Sequence, residues 1–245
     1  MKRLKKSEPK KSSYLFGLVL IVVVLCLAAV GFLGGENGSV QTPVPETQEP
    51  VQEQPQEQTN TQNMSNSLQL VQTGRYSGMF VEDGSDELVQ DILAITVENT
   101  GEKTVQLASL TLTAKSGEIY EFELTTLPPG EKLAVLEKNR APYDSSMEIA
   151  SVQSGDVIVF DEEPTLCEDV LEFSCADRSV TVKNISDKDI SGGRVFYKSV
   201  SGNTLVGGIT YMLTIPALRA GQETTLSAGH YLDGASRLIF ATYAN

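Results

Sequence analysis

"VENTGEK", Val97 to Lys103, returns eighty-five residues later as "VKNISDK", Val182 to Lys188, with Val, Asn and Lys in the same places. In each copy an apolar run ends at the Asn, Asn99 or Asn184. An Asn side chain there bonds its own backbone two residues on and tolerates left-handed φ, so both heptads read as turns that end a strand. Lys115-Ser116-Gly117 aligns with Val200-Ser201-Gly202 at the same offset, and Leu127-Pro128-Pro129-Gly130-Glu131 aligns with Leu218-Arg219-Ala220-Gly221-Gln222 at an offset of ninety-one. Three matched points in one order indicate a duplicated unit, with about six extra residues in the second copy near Val206 to Met212. The copies differ in charge at Glu98 and Lys183, so what recurs is a turn and not a ligand site.

Between these points the apolar residues alternate: Leu93, Ile95 and Val97; Tyr120, Phe122 and Leu124; Ile209, Tyr211, Leu213 and Ile215. A period of two with Val, Ile, Thr, Tyr and Phe enrichment predicts strands with one buried face, and no amphipathic helix interrupts them. Ser-Gly at 116–117 and 201–202 fits hairpins, and Pro129-Gly130 fits the centre of a type II turn. The expected fold is all-β, a β-sandwich in each of two tandem modules, 68–161 and 162–245. Leu68 to Gln90 supplies the opening strand of the first module and Asp144 to Phe160 its closing one.

The second copy, "VKNISDKDISGGRVFYKSVSGNTL" followed by an apolar strand and "LRAGQ", resembles the small immunoglobulin-like modules of membrane-anchored surface proteins in Gram-positive bacteria, notably the FxLYD group. The shared features are a Val-x-Asn turn, a strand ending near Phe-Tyr, a Gly hairpin and a Leu-x-x-Gly loop; Phe196-Tyr197-Lys198 stands where that group has Leu-Tyr-Asp. The resemblance covers 177–243 well and 90–140 less well. It implies immunoglobulin-like modules in an exported, non-catalytic adhesive or assembly protein, and no particular ligand.

Residues 1–13, "MKRLKKSEPKKSS", carry six basic residues against Glu8, and 14–34, "YLFGLVLIVVVLCLAAVGFLG", carry no charge. A run close to the roughly 20 residues a bilayer core requires satisfies its backbone only as a spanning helix, and the basic flank keeps the N-terminus in the cytoplasm. The rest is then extracellular. The competing reading is a cleaved signal peptide, for which Ala29-Val30-Gly31 has small residues; the apolar run is longer than the roughly 7–15 residues usual there. Cys26 follows Leu25, which does not suit a lipoprotein cleavage site, so it counts as a small apolar residue of the helix. Residues 35–67 are rich in Gln, Pro, Glu, Thr and Asn and cannot bury enough apolar surface to order, so a disordered tether reaching roughly 30 Å is expected.

Outside the tail and helix, 13 Lys and Arg (19 − 6) face 31 Asp and Glu (32 − 1), a net charge of −18. Such a surface repels nucleic acid and anionic lipid, leaving the helix as the membrane contact. Cys167 and Cys175, the two cysteines beyond the helix, form a possible disulfide, with geometry deciding. The single histidine, His230, lacks a motif partner for nucleophilic catalysis, and the counts exclude a His-based zinc site. Gly192-Gly193 and Gly207-Gly208 do not make a phosphate loop and read as bulges or strand bends. "EDGSDE" (82–87) and "DEE" (161–163) offer oxygen atoms to calcium but match no EF-hand loop, and solvated turns account for them. The sequons at Asn37, Asn63 and Asn184 read as unmodified. No catalytic, cofactor or metal residue stands out, and no cofactor or small-molecule substrate is indicated. The expectation is a non-enzymatic single-pass protein displaying two modules to a protein or cell-envelope partner. The rival readings are an envelope hydrolase with an unrecognised carboxylate pair and a structural spacer.

Overall fold

The computed structural model describes residues 62–63, 67–85 and 87–245. The expected cytoplasmic tail, membrane helix and most of the tether lie outside the described residues. What is described is all-β: β1 Gln62–Asn63, β2 Leu68–Met79, β3 Leu88–Asn99, β4 Val105–Ala114, β5 Ile119–Leu127, β6 Lys132–Leu136, β7 Ile149–Val159, β8 Leu171–Ala176, β9 Ser179–Asn184, β10 Gly192–Ser201, β11 Thr204–Ile215, β12 Glu223–Ser227 and β13 Ser236–Ala244. Leu68 to Gln90 indeed holds an opening strand and Asp144 to Phe160 a closing one.

The pairing repeats. In the first copy β2–β3–β6 and β5–β4–β7 are neighbours, and in the second β8–β9–β12 and β11–β10–β13 stand in the same order. Two of these four sets do not remain separate. β6 pairs in parallel with β11, Leu133 opposite Leu205, and joins β1–β2–β3–β6 to β11–β10–β13 as one seven-stranded sheet.

The recurring Asn explains the recurring turn. Asn99 and Asn184 are both fully buried. Each side-chain amide donates to the carbonyl four residues on (Lys103, 2.9 Å; Lys188, 2.7 Å) and to the Leu that opens the later loop (Leu127, 2.8 Å; Leu218, 3.2 Å). Each Oδ1 accepts a backbone N–H two residues on, from Gly101 or Ser186, at 3.0 Å. The Asn therefore ties a strand end to the Leu-x-x-Gly loop, whose Gly130 or Gly221 donates back to the Asn carbonyl. Gly130 has φ 72°, and Glu131 N–H reaches Pro128 O at 3.2 Å, the geometry expected of Pro129-Gly130 in a turn.

Alternation places the cores. Leu93, Ile95 and Val97 meet Leu110, Leu112, Phe122 and Leu124 in the largest cluster, and Val182, Val195, Ile215 and Ala241 form a second. The cores do not divide where the chain crosses between copies at Phe160–Val170. Leu205 is buried in the first cluster, with Val200 and Ile239 against it. β10 turns Val195 and Tyr197 toward β8 and β9, whereas Val200, three residues on, faces the first core. Side chains alternate along a strand, so the two three-stranded layers cover opposite faces of the seven-stranded sheet.

Candidate functional site

The extra residues of the second copy build the seam. Tyr197 stands opposite Tyr211 and Ser199 opposite Val206, so Gly207–Thr210 bulge out against Lys198 alone. The bulge aims carbonyl oxygens at the Lys198 ammonium, which donates to Gly207 O (3.1 Å), Gly208 O (3.1 Å) and Ile209 O (2.6 Å). Lys198 has no exposed surface. Three donors meet three acceptors, which offsets part of the cost of burying the charge. Burial nevertheless pushes the ammonium down to about 7, while the negative charge of Glu82 pulls it back up.

Glu82 closes the seam from the first copy. Its carboxylate accepts Gly208 N–H at 2.8 Å to each oxygen and Leu136 N–H at 2.9 Å. Burial raises its pKa, opposed by those N–H donors and the Lys198 charge. Thr125 donates to Gly208 O (2.8 Å) and its hydroxyl shares a hydrogen bond with Thr210 (2.8 Å). Gly208 is glycine for a steric reason: a Cβ there would overlap the Glu123 carbonyl oxygen. Ile209 packs on a small apolar cluster of Phe80, Val81, Ile92, Ala94 and Leu136. A cavity of about 60 Å³ remains between Glu82, Glu123, Thr125, Lys138, Gly208 and Ile209, room for little more than water.

The residues singled out by sequence disperse. His230 is exposed, with its ring stacked on Tyr211 at 4.8 Å. Cys167 and Cys175, the pair named as a possible disulfide, carry free thiols in the structure. Cys167 O accepts Leu171 N–H at the start of β8, and Cys175 lies four residues further along that strand. In "EDGSDE", Glu82 turns into the seam while Asp83 and Glu87 bind Arg140 at 2.6 Å each. In "DEE", Glu163 accepts the Thr104 N–H at 3.0 Å. The Asn184 sequon is unusable as folded, because its amide is buried and already donates twice.

Gly192-Gly193 opens β10 where a Cβ on Gly193 would overlap Thr242 O, and Gly207-Gly208 forms the bulge. Sequence reading missed the meeting of Lys198 and Glu82 at the seam. The available signal was Lys198 directly after the apolar run Val195-Phe196-Tyr197 and opposite the inserted Gly-Gly. Among the described residues no cluster of three or more His, Cys, Asp or Glu could hold a metal ion. No protein-family model matches the chain, and no curated protein matches it.

Proposed function

We propose that the chain is a non-catalytic, single-pass membrane protein, N-terminus in the cytoplasm, presenting two tandem immunoglobulin-like β-sandwich modules on a tether outside the cell. Its role is contact with a protein or cell-envelope partner. The observation that carries this reading is the combination of a basic tail and a charge-free 14–34 with an acidic tether and a duplicated body beyond them, together −18. The buried polar network at the seam supports an architectural use of its charges, since Lys198 and Glu82 spend their hydrogen bonds on backbone groups. Limited protease treatment of intact cells, followed by cross-linked capture of partners by the full chain at its native surface, tests it. Cleavage from outside together with discrete cross-linked partners is expected; a body protected in intact cells and cut only after lysis overturns the topology.

The spacer reading gains one specific observation, the shared core that makes the two modules a single stiff unit. A spacer would yield no partner in the same capture.

A further inference from the structure

The second copy differs from the first along one row of its sheet. In the first copy the outward row across β5–β4–β7 is Glu121, Thr111 and Gln153, and the equivalent row across β11–β10–β13 is Met212, exposed, Phe196, half-buried, and Phe240, buried. The same positions of the same strand order are polar in one copy and apolar in the other, so the fold itself does not require the apolar row. Phe196 stacks on Phe240 with centroids 4.1 Å apart, and Phe160 meets Phe240 edge-on at 5.4 Å. The chain runs back from Phe160 through Val159 to Ile158, whose cross-strand partner is Leu107. Met212 and Ile158 are each 47% exposed. An apolar band therefore crosses from the first copy to the second, and it exists only because the copies are fused.

Charge selects the occupant. Asp156, Asp161 and Glu162 flank the Ile158–Phe160 end of the band and are exposed, and the body 68–245 carries 13 Lys and Arg against 26 Asp and Glu (31 − 5 in the tether), a net of −13. Two cations stand beside the band: Arg194, exposed one row from Phe196, and Lys103, whose ammonium donates to the Asp161 carbonyl oxygen at 3.2 Å and leaves the Asp161 carboxylate to a partner. We propose that this band docks a basic segment of a partner protein in which apolar side chains alternate with Lys or Arg. The apolar side chains cover Phe196, Met212 and Ile158 while the cations meet Asp161 and Glu162. The inference rests on reading the body as an interaction module and adds the surface and the chemistry of its partner.

The test uses the full chain in neutral detergent and a fluorescent synthetic peptide alternating Lys with Phe, its Glu-for-Lys counterpart as control, and micelles alone as blank. Fluorescence anisotropy at low and physiological ionic strength should show binding of the Lys peptide, weakening with salt, and none of the Glu peptide. M212E and F196T, which install the first copy's residues, should each weaken binding about tenfold, the effect of losing one well-packed anchor. Paired D161K and E162K should weaken it, and R194E should tighten it. Met212 is exposed enough for M212E to fold even if F196T does not, with circular dichroism as the check. Absence of binding, equal binding of the Glu peptide, or affinity unmoved by M212E and R194E overturns the proposal, as does concentration-dependent dimerisation abolished by M212E. Cross-links found at the cell surface but mapping elsewhere would overturn this surface and leave the functional reading standing.

Discussion

Replacing Gly208 by alanine separates a fused pair of modules from two that merely touch. The new Cβ would overlap Glu123 O, which is backbone and cannot swing aside, so the bulge has to withdraw. Withdrawal removes the Gly208 N–H bond to the Glu82 carboxylate and the Thr125 bond to Gly208 O. A hydrogen bond to a charged group contributes about 1.5–3 kcal/mol and a neutral one about 0.5–1.5 kcal/mol. Alanine also stiffens the unfolded chain, which returns about 0.4–1 kcal/mol. The expected net loss is about 1–4 kcal/mol. Urea unfolding followed by circular dichroism measures it, with Gly229→Ala, where a Cβ meets nothing within 4 Å, as the control expected to change little. In an E82Q background the loss should shrink, because the charge-assisted bond is already weakened. A G208A protein within about 0.5 kcal/mol of wild type, or one whose loss is the same with and without E82Q, refutes the seam as described.

Leu205→Ala should cost about 2–5 kcal/mol and shift a single transition, since this second-copy side chain is buried in the first-copy core; two resolved transitions would contradict the shared core. Asn99→Ala and Asn184→Ala should each cost about 2–4 kcal/mol in the same assay, because each leaves two buried carbonyls and one N–H without the amide that served them. Lys198→Met should alter the pH profile with a fixed sign. The folded value of about 7 lies below the ordinary 10.5, so between those values the unfolded chain holds more protons and the wild type gains stability with rising pH relative to the variant. A difference that stays flat from pH 7 to 10.5 would count against it. In a Cys26→Ser protein, denatured without reductant, two thiols per chain should react with a thiol reagent; none would mean that Cys167 and Cys175 are bridged.

Much of the strand pattern was legible because it depends on neighbours in sequence. Leu93, Ile95 and Val97 alternate because they share the face of β3 that meets the first core, while Ile92 and Ala94 are buried on its other face. Asn99 and Asn184 make local bonds that need only the residues two and four positions on, so the turn could be read before the fold was known. The alternation of Ile209 with Tyr211, Leu213 and Ile215 misled at one point. Tyr211, Leu213 and Ile215 face the second copy's cores, but the bulge turns Ile209 into the cluster around Phe80.

Sequence by itself determined that this is a duplicated β-protein with matched turns, and it located the inserted residues near Gly207-Gly208. Tertiary structure alone decided what the insertion does. A parallel pairing such as β6 with β11 leaves no periodic mark, since it joins strands about seventy residues apart through backbone atoms every residue carries. Lys198 reads as a surface lysine and Glu82 as one acid among six residues of a polar loop. Only the approach of the two copies removes their water and supplies backbone groups in its place, and burial is a property of the assembled body.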